Sequence, residues 1–298
     1  MKILSFGSLN LDHVYHVAQI VSPGQTIDSL KVCHYPGGKG LNQTLAIARA
    51  GVSVCHAGMI GSDGLRLKEL LERDGVDCTY LKTVPEDTGS AFIQVDANGQ
   101  NSIVLSGGAN RANTPTFCDE VLSQFGVGDL LLLQNEINCI DYLIERAAEK
   151  GMLIALNPSP MNALVSACNL KQVSLFVLNE DEGMQITGES VPKDILAAMA
   201  AKYPQSQVVL TLGSQGAVYQ GLGQTIRQKA FPVKAVDTTA AGDTFTGYLL
   251  AGIAREMPMA ECLHLAAKAA AIAVTVQGAA SSIPYLNQVE QTDLAQSP

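Results

Sequence analysis

Four short apolar runs decide the fold of this chain, and they are LLLLQ at residues 130–134, LIAL at 153–156, LFVL at 175–178 and VVLTL at 208–212. Runs of this length without charges are typical of buried strands. Two more such runs precede them, at residues 3–8 and 52–59. Stretches with the helical spacing of apolar residues lie at 42–50, 65–73, 142–150, 195–203, 242–256 and 259–277. Strands that alternate with helices form a parallel sheet covered on both faces, so the sequence predicts an α/β three-layer sandwich.

Two regions interrupt this alternation with short segments that are typical of exposed strands. The segments are residues 12–17, 26–34, 90–95 and 101–106. Asn98-Gly99 separates the last two, and this dipeptide favours the positive φ angles of a tight hairpin. We therefore expect a small inserted β-sheet that acts as a lid over a cleft and consists of residues 12–35 and 89–106. The α/β body would then consist of residues 1–11, 36–88 and 107–298.

The composition excludes several classes of protein. The chain has 298 residues, of which 47% are hydrophobic and 16% charged, so it has enough apolar material for a core and is not disordered. A formal net charge of -9 provides no overall basic surface for nucleic acid. The most apolar stretch, residues 263–276, contains His264 and Lys268 and is too short to span a membrane. We expect neither nucleic acid nor a membrane among its partners.

The seven cysteines are odd in number, widely scattered and without a CxxC pair. Such spacing indicates neither a disulfide framework nor a zinc site. The N-terminus reaches Asp12 too soon for the apolar segment of a secretion signal. Reduced thiols are the simpler interpretation, and we expect a cytoplasmic protein.

The stretch VDTTAAGDTFTG at residues 236–247 places small residues directly before an apolar helix. Ala240, Ala241 and Gly242 would leave backbone N–H groups unpaired at the start of that helix, where the helix dipole also favours negative charge. The pattern therefore predicts an anion site. Asp243 lies at its mouth, and a carboxylate beside a bound phosphate could accept a proton from a hydroxyl group. The same residue could instead serve only as a helix cap.

A second stretch, PGGKGLNQ at residues 36–43, has three glycines in four residues just before a helix. Backbone without side chains can approach a ligand closely. The spacing fits neither a dinucleotide-binding fingerprint, which would need glycine at Gln43, nor a P-loop, which would need glycine at Cys33 and Ser or Thr at Gly40. Neither a dehydrogenase nor a P-loop nucleotidase is indicated.

Polar side chains follow the first predicted strand in GSLNLD at residues 7–12. Ligands of open parallel sheets bind at this end of the strands. Asn10 and Asp12 are two positions apart, so in an extended chain their side chains point the same way. An amide and a carboxylate side by side suit the hydroxyl groups of a sugar, although an Asx turn would use the same residues.

Together with six further segments, these three stretches resemble the ribokinase-like, or PfkB-type, carbohydrate kinase family, and within it the ribokinase branch. The similarity runs nearly from end to end, in the order that the family shows. The segments are residues 7–12, 37–43, 60–64, 107–110, 133–136, 156–160, 178–182, 211–217 and 237–245. The resemblance implies the family's fold with its β lid. It also implies transfer of the γ-phosphoryl group of ATP to a sugar hydroxyl, with ribose as the favoured sugar.

The resemblance also implies roles for individual residues. Asp243 matches the catalytic base, and the anion hole around the transferred phosphoryl group matches Ala240, Ala241 and Gly242. The sugar would be held by Asn10, Asp12, Gly38, Lys39, Asn42 and Glu136, together with Asp243. The nucleotide site matches Asn179, Glu182, Thr211, Gly213, Ser214 and Gly216.

Two metal ions are implied in addition to ATP. Magnesium (Mg2+) would be held by Glu182 of the NxxE element, through water. A monovalent cation, usually potassium (K+) in this family, would order the anion-hole loop without touching ATP. The residues that match its site are Asp237 and Thr239 on one side and Ala273, Val276, Gly278 and Ser282 on the other.

Three hypotheses about function follow. The first is a ribose kinase that phosphorylates the 5-hydroxyl group. The second keeps the chemistry but changes the acceptor to another pentose, deoxyribose, a ketohexose or a nucleoside, and the absence of Trp disfavours the aromatic base pocket of a nucleoside kinase. The third is a non-catalytic sugar-binding regulator, against which the intact Asp243 and Glu182 argue. The exposed edges of the lid strands favour a homodimer formed through the lids.

Three histidines, His13, His16 and His34, lie on or near the predicted lid strands. His13 and His16 would face opposite sides of a strand, so they could not hold one metal ion together without a bend. We expect lid packing or solvent contact for these side chains.

Overall fold

The computed structural model describes residues 1–294. Thirteen strands lie in this part of the chain: β1 Ile3–Phe6, β2 Asn10–His16, β3 Lys31–Gly37, β4 Val54–Ile60, β5 Asp77–Thr83, β6 Gly89–Val95, β7 Asn101–Ser106, β8 Leu130–Gln134, β9 Leu153–Asn157, β10 Leu175–Asn179, β11 Gln207–Thr211, β12 Ala217–Gly221 and β13 Gln224–Gln228. The same residues form ten α-helices: α1 Lys39–Arg49, α2 Leu65–Arg73, α3 Pro115–Leu122, α4 Ile140–Glu149, α5 Ala163–Ala167, α6 Glu180–Thr187, α7 Pro192–Lys202, α8 Ala241–Ala254, α9 Met259–Ala273 and α10 Leu286–Gln291.

The larger sheet of the described chain has nine strands in the order β13-β12-β11-β10-β9-β8-β1-β4-β5. Every pair from β11 to β5 is parallel, whereas β12 and β13 extend one edge antiparallel. All six predicted apolar runs are strands of this sheet, which confirms the α/β class. The sequence pattern does not indicate β5, β12 or β13, because polar residues interrupt all three strands and exposed residues also interrupt β5 and β13.

Side chains of the sheet alternate between two apolar cores, one on each face. In β8, Leu130 and Leu132 belong to the first core, whereas Leu131 and Leu133 belong to the second. Helices α1, α2, α8 and α9 cover the first core, and α3, α4, α6 and α7 cover the second. The arrangement is the predicted sandwich of helices, sheet and helices.

A separate four-stranded sheet has the order β3-β2-β6-β7, and its strands differ in length from the prediction. β2 begins at Asn10 rather than at residue 12, because Asn10 pairs with both Gly37 and Gly89. The sequence also predicts residues 26–30 as part of a strand, but they form no strand in the structure. The chain turns at residues 22–25 and rejoins the sheet where the N–H group of Leu30 donates to the carbonyl group of His16.

Helix α9 ends at Ala273, four residues before the predicted end at 277. The N–H group of Val276 bonds to the carbonyl oxygen of Ala273, which makes a tighter turn than an α-helix. Gly278 then adopts a φ of 100°, a conformation that glycine adopts without a steric penalty. The chain therefore leaves the helix here and turns towards Asp237, which accepts a hydrogen bond from the Gly278 N–H group.

Candidate active site

Ser8, just after β1, joins two of the sequence motifs. Its carbonyl oxygen accepts a hydrogen bond from the N–H group of Leu41 at 2.9 Å. Its hydroxyl oxygen accepts one from the N–H group of Gly40 at 3.2 Å. The GSLNLD loop and the start of α1 therefore lie side by side at the carboxyl ends of the parallel strands, which is where ligands of such sheets bind.

Glu136, two residues after β8, connects a third motif to this point. Its Oε2 accepts hydrogen bonds from the hydroxyl group of Ser8 at 2.5 Å and from the N–H group of Lys39 at 2.9 Å. Three segments that are distant in sequence thus meet at one carboxylate. The structure brings the predicted sugar residue Glu136 next to Lys39 and Gly38 at the start of α1.

Asp12 lies on β2, close enough to Glu136 for their charges to interact. Burial raises the pKa of the Asp12 carboxyl from its ordinary value of 3.8 to about 7, and the negative charge of Glu136 adds to the effect. Asp12 therefore gains or loses its proton near neutral pH.

Asn10 is held in a fixed orientation by Asn110, a residue that the sequence analysis does not single out. The Nδ2 group of Asn110 donates to the Oδ1 of Asn10 at 2.7 Å. Asn110 itself is fixed by two hydrogen bonds with the backbone of Leu9. Because the Oδ1 of Asn10 is occupied, its Nδ2 amino group is the part that can donate to a ligand.

Asp243 lies in the first turn of α8 and is 8% exposed. Its Oδ2 accepts a hydrogen bond from the Nδ2 of Asn42 at 3.0 Å, and its Oδ1 accepts one from the Nε2 of Gln43 at 2.9 Å. Both donors come from α1. The Oδ1 of Asn42 is buried and has no hydrogen-bond partner within residues 1–294, so it remains available to a ligand.

The backbone before Asp243 has the form of an anion site with one difference from the prediction. Ala240, the residue before α8, has a left-handed φ of 60°. This conformation turns the chain so that the N–H group of Ala241 donates to the carbonyl of Thr238 at 3.2 Å, whereas the sequence predicts an unpaired group. Gly242 faces open space, since no atom lies within 4 Å of the position of an added Cβ.

A cavity of about 240 Å³ lies beside Asp243 and the backbone that precedes it. Its lining includes Lys39, Asn157, Asn179, Glu182, Thr211, Gly242 and Asp243. Burial acts to lower the pKa of Lys39, but three nearby carboxylates outweigh it and raise that pKa. They belong to Asp243, Glu136 and Glu182. Lys39 is therefore a half-buried cation among anions, suited to a ligand that carries negative charge.

Asn179 and Glu182 form a capping box at the start of α6. The N–H group of Glu182 donates to the Oδ1 of Asn179 at 2.8 Å, and the Oε2 of Glu182 accepts from the N–H group of Asn179 at 3.1 Å. These bonds hold the Glu182 carboxylate at the cavity with Asp243.

A larger cavity of about 470 Å³ adjoins the first, and both are lined by Thr211, Ala241 and Gly242. The predicted nucleotide residues Thr211, Gly213, Ser214 and Gly216 line it. Most of its other lining is apolar and absent from the sequence prediction, namely Ala230, Phe231, Pro232, Val233, Ala235, Phe245, Ala267, Ala270, Ala271 and Val274. Such walls suit a flat apolar ring. In the sequence, the same residues are indistinguishable from core residues.

The residues that match the monovalent-cation site lie around Asp237. Its Oδ1 accepts from the hydroxyl and N–H groups of Thr239 at 2.6 and 2.9 Å, and its Oδ2 accepts from the N–H group of Gly278 at 2.9 Å. Burial acts to raise the pKa of Asp237, but these hydrogen bonds outweigh it and lower that pKa. Ala273 and Val276 bond to each other in the adjoining turn, whereas Ser282 bonds to Ala279.

His13 and His34 pair across β2 and β3, with their Nδ1 atoms 2.9 Å apart. The ring of His13 also stacks on Phe92 with centroids 5.1 Å apart. These contacts are the lid packing that we expect. In the described part of the chain, no cluster of three or more His, Cys, Asp or Glu side chains could hold a metal ion.

Comparison with known proteins assigns these features to one family. Residues 1–286 match the sequence profile of the pfkB family carbohydrate kinases. The chain is 36% identical to a ribokinase of Haemophilus influenzae over 287 residues, which cover 93% of this chain and 94% of that protein. It is 30% identical to a deoxyribokinase of Salmonella typhi over 300 residues, which cover 98% of each.

A solved structure of Arabidopsis thaliana ribokinase complexed with ribose and ATP is also similar. It superposes with a TM-score of 0.86 at 29% identity and covers 97% of both chains. Among residues 1–294, no helix is both long and apolar enough to cross a bilayer.

Proposed function

This chain belongs to the pfkB family of carbohydrate kinases, and we propose that its substrate is ribose, phosphorylated at the 5-hydroxyl group. The chain is an ATP-dependent sugar kinase, a phosphotransferase with an alcohol group as acceptor. The observation that carries the choice of ribose is the similarity to ribokinases over nearly the whole length. The polar groups of Asn10 and Asp12, and of Asn42 beside Asp243, support it, because a sugar needs a partner for each hydroxyl group.

We propose that Asp243 accepts the proton of the sugar hydroxyl as its oxygen attacks the γ-phosphorus of ATP. The two amide donors on its carboxylate support this role, since they fix the acceptor in one orientation. Backbone groups of Ala240, Ala241 and Gly242, with the dipole of α8, would stabilise charge on the transferring phosphoryl group, and the N–H group of Ala241 would exchange the carbonyl of Thr238 for the phosphate. Lys39 would hold the sugar and neutralise further phosphate charge.

Magnesium would be held at Glu182, with Asn179 behind it. The oxygen donors in the smaller cavity are of the type that this hard cation prefers, and it usually keeps several waters and binds through one or two carboxylates. When bound, it neutralises charge on the phosphates. Asn179 and Glu182 would thereby also contact the nucleotide, and the loop of Thr211, Gly213, Ser214 and Gly216 would hold the rest of it.

A potassium ion would lie at the Asp237 loop. Asp237 joins Thr239, which precedes the anion hole, to Gly278, which follows α9. A cation coordinated by oxygens of Asp237 and Thr239 and of residues 273, 276, 278 and 282 would fix this loop relative to α9. We therefore expect K+ to act on the anion hole and to raise activity without contacting ATP.

Residues 12–35 and 89–106 would close over the sugar as a lid and exclude water, which otherwise competes as phosphoryl acceptor. Deoxyribose is the second candidate, because the chain is also similar to a deoxyribokinase. A sugar that lacks one hydroxyl leaves a half-buried partner such as Asp12 unpaired. We expect roughly a tenfold to hundredfold lower kcat/KM for deoxyribose than for ribose.

We also propose a homodimer formed through the lids. Val14, Ile93 and Ile103 occupy one row across the small sheet, and Leu105 lies two positions from Ile103 on the same face. Ile103 is 51% and Leu105 53% exposed, and such an apolar face is suited to a second copy. Light scattering should give twice the chain mass, Ile103→Lys should halve it, and a monomer at micromolar concentration would contradict the proposal.

A cytoplasmic location is proposed from the cysteines. All seven lie in the described residues as free thiols, and three of them are partly accessible: Cys33, Cys139 and Cys168. A reducing compartment would keep them in this state.

The experiment that tests the function is ADP release measured against a panel of pentoses, deoxyribose, ketohexoses and nucleosides, with Mg2+ and with or without K+. Ribose should give the highest kcat/KM. Asp243→Asn should nearly abolish turnover while calorimetry shows ribose binding largely retained. The matched control is Asp181→Asn, an exposed carboxylate in the first turn of α6. No turnover on any acceptor would contradict the kinase activity, and an active Asp243→Asn would contradict the base assignment.

A further inference from the structure

Gln43 holds the carboxylate of Asp243, and we propose that it is a positioning residue for proton transfer. Its side chain is fully buried on α1, in the same turn as Asn42. The Nε2 of Gln43 donates to the Oδ1 of Asp243 at 2.9 Å. The proposal rests on the proposed role of Asp243 as the base.

Every polar group of the Gln43 side chain is used within the protein. Its Nε2 carries two hydrogens, and the second hydrogen bond goes to the Oδ1 of Asn157 at 3.1 Å. Its Oε1 accepts a hydrogen bond from the Nε2 of Gln134 at 2.8 Å. No donor of Gln43 remains for a sugar or a phosphate, so its effect on the reaction passes through Asp243.

The partners fix which way the Gln43 amide points. Asn157 donates its own Nδ2 to the carbonyl of Val177 at 2.9 Å, so its Oδ1 is the atom that faces Gln43. A reversed Gln43 amide would place its oxygen against this Oδ1 and against the carboxylate of Asp243, and its nitrogen against the donor of Gln134. All three contacts would then be repulsive, so the donor remains directed at Asp243.

Asn42 and Gln43 each donate a hydrogen bond to a different carboxylate oxygen of Asp243. Asn42 donates to the Oδ2 and keeps a buried Oδ1 that has no partner in residues 1–294, so it can contact both the base and a ligand. Gln43 contacts the other carboxylate oxygen and no open space. The two donors, one on each carboxylate oxygen, together prevent rotation of the carboxylate.

Loss of the Gln43 donor therefore has two expected effects. The carboxylate gains freedom to rotate, so fewer enzyme molecules hold it in line with the sugar hydroxyl, and kcat falls. The carboxylate also accepts a proton more readily, so the acid limb of the pH–rate profile moves to higher pH. A merely structural loss would lower the amount of folded enzyme without moving that limb.

Other charged groups around the site can also affect the pH–rate profile. They are Lys39 on α1, Glu182 on α6, Glu136 after β8 and Asp12 on β2. The pKa of Asp12 lies at about 7 without sugar, so its titration enters kcat/KM. The profile of kcat at saturating sugar and ATP reports the complex instead and is the one to compare.

The test compares Gln43→Met, which keeps the approximate volume but not the hydrogen bonds, with Thr44→Val on the same helix. Thr44 is equally buried and bonds to His56, away from Asp243. We expect Gln43→Met to lower kcat roughly tenfold to a hundredfold, with the ribose Kd changed less than about threefold and the acid limb about half a pH unit or more higher. Thr44→Val should lower Tm and leave the limb in place.

A second variant, Gln43→Glu, covers the case in which Gln43→Met does not fold. It keeps the shape but places a second carboxyl group beside Asp243, so the acid limb should move up by about one pH unit or more. A limb that stays in place in the folded variants would overturn the proposal, even if kcat falls. Asp243→Asn distinguishes failure of the base assignment from failure of the positioning role. If Asp243→Asn retains activity, the base assignment is refuted. If Asp243→Asn is inactive but the acid limb of the Gln43 variants does not move, only the positioning role is refuted.

Discussion

Replacement of Asp12 by Asn should stabilise the protein at and above neutral pH. Burial and Glu136 raise the pKa of Asp12 from 3.8 to about 7 on folding, so the folded state binds this proton more tightly than the unfolded state does. The resulting stability is fully present below about pH 4 and is lost as the pH rises through about 7. The difference between the two pKa values corresponds to at most about 4 kcal/mol, and partial contact of Asp12 with solvent reduces this figure.

The amide in Asp12→Asn stays neutral at every pH, so its folded state has no such loss. Urea unfolding at several pH values should show nearly equal free energies of unfolding for the two proteins at about pH 4. The gap should widen to about 1–3 kcal/mol in favour of the variant at about pH 8. Added ribose should narrow the gap, because sugar hydroxyls would donate to the carboxylate and replace part of its lost hydration.

The same substitution separates stability from activity. A carboxylate accepts stronger hydrogen bonds from hydroxyl groups than an amide does, so kcat/KM for ribose should fall in the parent protein as the pH decreases through about 7. Asp12→Asn should have a lower kcat/KM than the parent protein, and its kcat/KM should not fall as the pH decreases through about 7. Asp28→Asn, which changes an exposed carboxylate before β3, is the control for net charge. Equal loss of stability in the parent and in Asp12→Asn between about pH 4 and 7 would refute the reasoning.

Three further substitutions test how the site is supported. Arg49→Ala should lower the free energy of unfolding by about 3–5 kcal/mol in urea, because it removes the cation that lies 2.8 Å from the buried carboxylate of Asp74. Gly40→Ala should lower kcat/KM about a hundredfold in the coupled assay, because its Cβ would lie 2.3 Å from the backbone nitrogen of Ser8 and displace the sugar loop. Glu182→Ala should cost about 1 kcal/mol in thermal unfolding and raise the Mg2+ concentration for half-maximal activity.

Matched variants give each of these results a control. Lys82→Ala breaks an exposed ion pair with Glu120 and should cost less than about 1 kcal/mol. Gly126→Ala adds a Cβ in open space and should leave kcat/KM unchanged. Glu180→Ala changes a neighbouring carboxylate in the first turn of α6 and should leave the Mg2+ dependence unchanged. If a variant and its control behave alike, the corresponding contact does not have the effect assigned to it.

The central sheet could be predicted from sequence because its inner strands are buried on both faces. Strands such as β8 and β10 are continuous apolar runs, and a continuous run needs no knowledge of its neighbours. β5 and β13 are the edge strands of the sheet, where polar residues are tolerated, and β12 beside β13 ends in Gln220 and Gly221, so all three lack this pattern. Their assignment depends on pairing with distant strands.

In the candidate site, too, only the residues that belong to a local sequence pattern could be predicted. Asp12 and Asp243 could be predicted because polar residues directly follow a strand or open a helix, which is a local pattern. Asn110 and Gln43 could not, since their hydrogen-bond partners lie 101 and 200 residues away in the sequence. The apolar wall of the larger cavity at Phe231 could not be predicted either, because an apolar residue that lines a ligand cavity cannot be distinguished in the sequence from one in a core.

The position of Asp243 is a property of helix packing as much as of the loop that precedes it. A Cβ on Gly247, about one turn after Asp243, would lie 2.3 Å from the Cβ of Ala46 and 2.8 Å from the carbonyl oxygen of Gln43. Only a residue without a side chain lets α8 approach α1 this closely. That approach brings the Nε2 of Gln43 within hydrogen-bond distance of Asp243. Small residues in the two helices therefore determine the geometry of the proposed base, although they touch neither sugar nor nucleotide cavity.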